Sequence, residues 1–188
     1  MEFPTKYKVL DVQKLNKGNF SIVPIRFQDR INIMKWRNEQ IYHLRQNAPL
    51  TIEDQINYFN NVVAHEFDEP YPKQILFSFL EDNNCIGYGG LVHINWIDKN
   101  AEISFIMETE LEKDYFRQHW HTYLGLIEKV AFENLKLHKI YVYAFDLRPH
   151  LYDILKDYSY FEDARLKDHC LFDGSFKDVV IHSKIALS

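Results

Sequence analysis

Apolar and polar positions change period several times along the chain, and each change marks an element. From Tyr7 to Leu15, and again from Phe20 to Phe27, the alternation on either side of the turn Asn16-Lys17-Gly18-Asn19 predicts a hairpin or two short strands. Between Gln28 and Tyr42 the period lengthens. Ile31, Ile33, Met34, Trp36 and Ile41 mostly repeat at helical spacing, with Asp29 where an N-cap would help. Thr51-Ile52-Glu53-Asp54 has the Thr-x-x-acid form of a helix start, and Ile56, Tyr58, Phe59, Val62 and Val63 follow it as a second helix. The prolines of Glu69 to Pro72 then break the pattern. Gln74–Glu81, Cys85–Trp96 and Ala101–Met107, separated by Asp82-Asn83-Asn84 and Asp98-Lys99-Asn100, predict a three-stranded antiparallel meander. Gly87, Gly89 and Gly90 weaken its middle strand unless a bulge or a close approach uses them. The clearest helix runs from His119 to Asn134, with Tyr123, Leu124, Ile127, Val130 and Ala131 on its apolar face. A short strand, Lys139–Phe145, and a helix opened by Pro149 and ending at Asp157 come next. Last, Tyr160–Phe172 and Phe176–Ile185 flank Asp173-Gly174, a strong hairpin signal.

At 188 residues, 46% of them hydrophobic and 26% charged, the chain has the composition of one globular domain, spanning residues 1–188, with residues 1–19 as an N-terminal extension or extra strand. A net charge of −5 leaves no electrostatic footprint for nucleic acid or an anionic membrane. No run approaches a membrane span and no basic-then-apolar leader is visible, so a cytoplasmic location is expected. Cys85 and Cys170 lie in predicted strands without a CxxC or Cys-His spacing, which reads as two reduced thiols. Among nine histidines, His119 and His121 are close, but a spacing of two points them to different helix faces and no carboxylate completes a ligand set. No metal is expected.

Three stretches carry a family likeness. Trp36-Arg37-Asn38, the strand Cys85-Ile86-Gly87-Tyr88-Gly89-Gly90-Leu91 with Ala101-Glu102-Ile103-Ser104-Phe105, and the closing segment Phe161–Leu166 with Asp173-Gly174-Ser175-Phe176-Lys177-Asp178 resemble the GNAT superfamily of acetyltransferases. The subgroup most similar acts on amino sugars or on the N-termini of ribosomal proteins. The resemblance covers Phe20 to the C-terminus and implies an α+β, three-layer fold with a mixed, mostly antiparallel central sheet flanked by helices. It implies acetyl transfer from acetyl-CoA, as co-substrate, to a primary amine of a small molecule, an amino sugar or a protein N-terminus. The expected partner is therefore a small-molecule or peptide amine acceptor, with a homodimer left open.

The resemblance also distributes roles. The diphosphate of the cofactor is expected at a turn, Tyr115 to Trp120, entering the long helix, with Arg117, Gln118, His119 and Trp120 binding it. Here the chain departs from the family: Gln118 and Trp120 stand at two small positions and Tyr115 at a basic one. Ile106 and Met107 are expected to grip the pantetheine arm through their backbone, and Asp146, standing near where the family carries asparagine, is expected to bind the cofactor as well. Tyr152 is the candidate acid for the leaving thiolate, and Glu102 the candidate base, with Glu108 in reserve. Trp36 and Arg37 are the candidate acceptor-binding pair; with Tyr42, His43 and Arg45 they would suit an acceptor carrying phosphate. The missing glycines leave a second reading open, a non-catalytic GNAT-fold binding module with a degenerate CoA site.

Overall fold

The computed structural model describes residues 2–186. Eight strands form one sheet: β1 Leu15–Lys17, β2 Phe20–Pro24, β3 Ile75–Glu81, β4 Asn84–Asn95, β5 Asn100–Met107, β6 Lys139–Phe145, β7 Phe161–Phe172 and β8 Ser175–Ile185. Their spatial order is β1-β2-β3-β4-β5-β6-β8-β7, antiparallel throughout except between β5 and β6. The helices are α1 Arg30–Glu39, α2 Ile52–Tyr58, α3 Ala64–Glu66, α4 Thr109–Glu128 and α5 His150–Asp157. Wider π-helical turns, Phe59–Val63 and Lys129–Asn134, join α2 to α3 and close α4. This is the expected α+β fold.

Local chemistry explains most boundaries. The capping box at Thr51 is complete: its hydroxyl accepts from the Asp54 amide at 3.1 Å, and the Asp54 carboxylate accepts from the Thr51 amide at 2.9 Å. Asp173 and Gly174 both take positive φ, 45° and 74°, as a two-residue hairpin turn with right-twisting strands demands. In β4, a Cβ on Gly89 would lie 2.1 Å from the Ser104 carbonyl oxygen, and one on Gly90 would lie 2.0 Å from that of Ile75. Close approach of neighbouring backbone therefore excludes any side chain at these positions.

Two expectations change. Tyr7–Leu10 does not join the sheet; Tyr7 instead stacks on Phe67 at 3.9 Å and its hydroxyl donates to the Leu76 carbonyl at 3.0 Å, so burial of a large ring overrides the strand alternation. The long helix starts at Thr109, ten residues before His119. Residues 109–118 hold no glycine or proline, and Leu111 and Phe116 extend the apolar face of the helix backward. Glu110 and Glu112 in the first turn suit the positive end of the helix dipole.

The two helical layers lie on opposite faces of the sheet. Phe105 stacks on Tyr123 of α4 at 4.0 Å, whereas its neighbour Ser104 lines a cavity with Ile33 and Phe59 from the α1–α2 side. Successive strand residues point to opposite faces. Between β5 and β6 the sheet is paired only over Asn100–Glu102 and Lys139–Tyr141; beyond that the strands part.

Candidate active site

The parting of β5 and β6 makes a cleft through the sheet. Its walls are Ile103 to Ile106 of β5 and Val142 to Phe145 of β6, with Trp120 and Leu151 from the α4–α5 side and His43, Leu44 and Arg45 from the segment between α1 and α2. Its volume is about 110 Å³. Past Glu102 the β5 edge facing β6 has no strand partner, so an extended ligand can add to it through main-chain hydrogen bonds. A wider recess of about 610 Å³ adjoins it, lined by His93, Asn100, Lys139, Tyr141 and Asp163. Arg45, Glu102 and Tyr143 line both spaces.

Glu102 is 6% exposed. Arg45 donates to its Oε1, and His93 Nε2 lies 3.8 Å from Oε2. His93 reaches it from a left-handed backbone, φ 51°, inside the register shift of β4 between Val92 and Asn95. Such a conformation costs a non-glycine residue ~1 kcal/mol or more and turns the imidazole onto the carboxylate. Burial raises the Glu102 pKa above its ordinary value, with Arg45 and His93 opposing the rise. The result is a carboxylate whose basicity exceeds that of a solvated one, at the junction of two spaces.

His43 was given no catalytic role by the sequence, yet it lines the cleft. Gln40 fixes its tautomer: Gln40 Nε2 donates to the Met107 carbonyl at 2.7 Å, so its Oε1, 3.2 Å from His43 Nε2, must accept. Burial, reinforced by Arg148, lowers the His43 pKa to about 3. The ring is neutral at physiological pH. Arg148, also in the cleft wall, is bound to Glu112 at 2.7 Å. Neither His43 nor Arg148 carries a local sequence signature; topology alone brings them to the cleft.

The other predicted site residues divide. Ile106 lines the cleft, but the Met107 carbonyl is already taken by Gln40. Tyr115 to Trp120 form no turn, because they are interior to α4 and their amides serve the helix ladder. Arg117 pairs with Asp157, Gln118 is exposed, and His119 is buried edge-on against Phe20 and Phe79. Only Trp120 reaches the cleft, as a side chain packed edge-on to Phe105. The α4 N-terminus itself presents Glu108, Glu110 and Glu112, which oppose an anion. Thus the open β5 edge is left free for an extended ligand, while the diphosphate cradle expected at residues 115–120 is not built.

Tyr152 points elsewhere: its hydroxyl donates to Asp146 Oδ1 at 2.8 Å, its ring stacks on His182, and Leu151 takes the cleft wall. Burial and the bond to Asp146 raise the phenol's pKa further. Asp146 is held by Arg165 at 2.5 Å and does not line the cleft. The phenol that does line it is Tyr143, with Arg45 4.6 Å from its ring centre. Trp36 is buried core at 2% exposure, whereas Arg37 lines a separate cavity on the α1–α2 face.

Comparison with known proteins agrees with this fold. A family model described as an acetyltransferase (GNAT) domain matches residues 22–149. A spermidine N(1)-acetyltransferase of Vibrio cholerae is 24% identical, over 71% of this chain and 86% of the relative. The solved Vibrio cholerae spermidine N-acetyltransferase in complex with CoA and spermine superposes with TM-score 0.76 at 18% identity, covering 90% of this chain and 96% of that one. A dodecameric structure of the Vibrio cholerae enzyme gives 0.73 at 20% identity, covering 90% and 95%. These named relatives act on polyamines, which departs from the amino-sugar or ribosomal subgroup suggested by the sequence motifs. The family model spans well over half of the chain, and the chain belongs to the GNAT acetyltransferases, acetyl-CoA-dependent N-acetyltransferases.

Proposed function

We propose that this protein transfers an acetyl group from acetyl-CoA to the primary amine of a small molecule, with the donor arm in the β5–β6 cleft and the acceptor entering from the α1–α2 face. The observation that carries this reading is Glu102, buried where the cleft and the adjoining recess meet. Acetyl-CoA, when bound, supplies an acetyl thioester. Glu102 takes a proton from the incoming ammonium, which frees the nitrogen lone pair to attack the thioester carbonyl. Arg45 and His93 keep Glu102 oriented and ionised before that transfer. Main-chain donors on the open edge of β5 offset the charge that develops on the carbonyl oxygen. As the C–S bond breaks, Tyr143 is the hydroxyl in position to protonate the departing thiolate. Arg148, paired with Glu112, is the cation of the cleft wall that a donor phosphate would meet in exchange for that carboxylate, in place of the absent amide cradle.

Thermal unfolding with and without acetyl-CoA tests the reading. A ligand at 100 times its dissociation constant stabilises by about 2.7 kcal/mol. A clear rise in Tm at millimolar acetyl-CoA is expected; no rise would return the chain to the class of non-catalytic modules. A polyamine acceptor is the second reading, favoured by the activity named for the Vibrio cholerae relative.

A further inference from the structure

On the α1–α2 face lies a cavity of about 270 Å³ walled by Ile33, Leu50, Phe59 and Leu76, with polar groups from Arg37, Gln55, Tyr58, Gln74, Tyr88 and Ser104. Arg37 is its one cation. Nε donates to Gln46 Oε1 at 3.0 Å and Nη1 to Tyr88 Oη at 2.6 Å, which leaves Nη2 without a protein partner among the described residues. The groups acting on its charge are Tyr88 and Tyr58, with no carboxylate among them. Of the seven arginines, Arg26, Arg45, Arg117, Arg148 and Arg165 meet carboxylates, whereas Arg30 lies over the Phe27 ring and donates to the Phe27 carbonyl, and Arg37 alone of the seven lines this cavity. A half-buried guanidinium held in place by two neutral groups, with donors left over, is arranged to receive an anion.

The position of Ser104 connects this cavity to the chemistry. Ser104 lines both the cavity and the β5–β6 cleft, so a small molecule anchored at Arg37 extends toward the acyl end of the donor site. The same charge disfavours a polycation, whose ammonium groups would meet Arg37 without a counter-ion. Beside the cleft and recess, Glu102 is paired with Arg45 and Asp163 with Lys139, and Glu66, which acts on Tyr58 of the cavity wall, accepts from the Lys73 amide at 2.7 Å. We propose that the cavity is an anion subsite, in which Arg37 binds a carboxylate or phosphate carried by the amine acceptor, so that the acceptor is an anionic amine and not a polyamine. The inference rests on the transferase reading above for its link to turnover, while the anion subsite itself is measurable without turnover.

The experiment has a binding arm and a competition arm on the full chain. In the first, inorganic phosphate and acetate are titrated by calorimetry into the parent, Arg37→Gln and Arg37→Lys, each checked for folding by circular dichroism. Saturable binding of one anion by the parent, weakened at least tenfold in Arg37→Gln and by a lesser factor in Arg37→Lys, is expected. The anion that binds identifies whether carboxylate or phosphate is the better fit. In the second arm, acetylation by the parent is compared for glucosamine 6-phosphate against glucosamine, for γ-aminobutyrate against propylamine, and for spermidine. A tenfold or larger kcat/KM advantage for an anionic amine over its neutral counterpart is expected. Absence of Arg37-dependent anion binding overturns the proposal, and so does preference for spermidine. Because acetyl-CoA binding is read separately, a protein that binds acetyl-CoA and acetylates spermidine retains the transferase reading and loses this one. The parent arms decide the matter even where Arg37→Gln fails to fold.

Discussion

Tyr143 and Tyr152 are two phenols that differ in the partner of the hydroxyl and in access to the cleft, and they separate a reading by family from a reading by geometry. Tyr152 donates to Asp146, whose other oxygen is bound by Arg165, and its ring covers His182. Such a phenol has its proton committed to a carboxylate, and burial together with that carboxylate raises its pKa. Tyr143 lines the cleft and the recess beside Glu102, with the Arg45 guanidinium against its ring; burial raises its pKa as well, but Arg45 opposes the rise and its hydroxyl is not bound to a carboxylate among the described residues. Tyr143→Phe is therefore expected to lower kcat tenfold or more with little change in acetyl-CoA affinity, since general acid catalysis is typically worth ~10²–10⁴. Tyr152→Phe should leave kcat within about twofold and cost about 1 kcal/mol of stability, the ordinary worth of one hydrogen bond. Steady-state kinetics and urea unfolding of the two variants check both halves. The family resemblance points to Tyr152, but whether Leu151 or Tyr152 enters the cleft depends on how α5 sits on β8, a tertiary fact with no trace in local spacing.

At the scale of elements, α4 is where the chain and its family diverge, and the sequence carried the sign of it. Gln118 and Trp120 stand where the family has small residues. The physical consequence is larger than a modified turn: without a glycine to leave the helical region, the backbone of residues 109–118 continues the helix, and Trp120 becomes part of the cleft wall. The capping box at Thr51, the Asp173-Gly174 hairpin and the meander were legible because each is specified by residues adjacent in sequence. The α4 start was not, because Glu108 provides no side-chain cap to announce it. A glycine placed at the exposed Gln118 discriminates the two pictures. Were the segment a cofactor turn, Gln118→Gly would tighten acetyl-CoA binding. Inside a helix it is expected to cost about 1 kcal/mol of stability and leave that affinity unchanged. Urea unfolding and calorimetric titration of acetyl-CoA read the two quantities separately.

Across the whole molecule, the divided sheet sets the site, and burial of polar groups sets the response to pH. Three histidines have pKa values lowered by burial: His43 where β5 and β6 part, His119 against Phe20 and Phe79, and His182 under Tyr152. In the unfolded chain each would take up a proton near pH 6.5. Below that pH the unfolded state binds more protons than the folded one, so stability rises with pH through this window and falls on acidification. Glu102 and Glu128, raised by burial, act in the opposite sense above their unfolded values, which makes the parent's total slope a sum of unlike terms. His43 is isolated by difference. With a folded pKa of about 3 against 6.5 unfolded, it should contribute about 2 kcal/mol to the loss of stability between pH 7 and pH 5. Asparagine or glutamine at this position has no proton to take up, so the pH 7 to pH 5 decline in urea-unfolding free energy is expected to shrink by about 2 kcal/mol in His43→Gln. An unchanged decline would mean that the ring is charged in the folded cleft beside Arg148. That result would also exclude His43 as a neutral wall of the donor site.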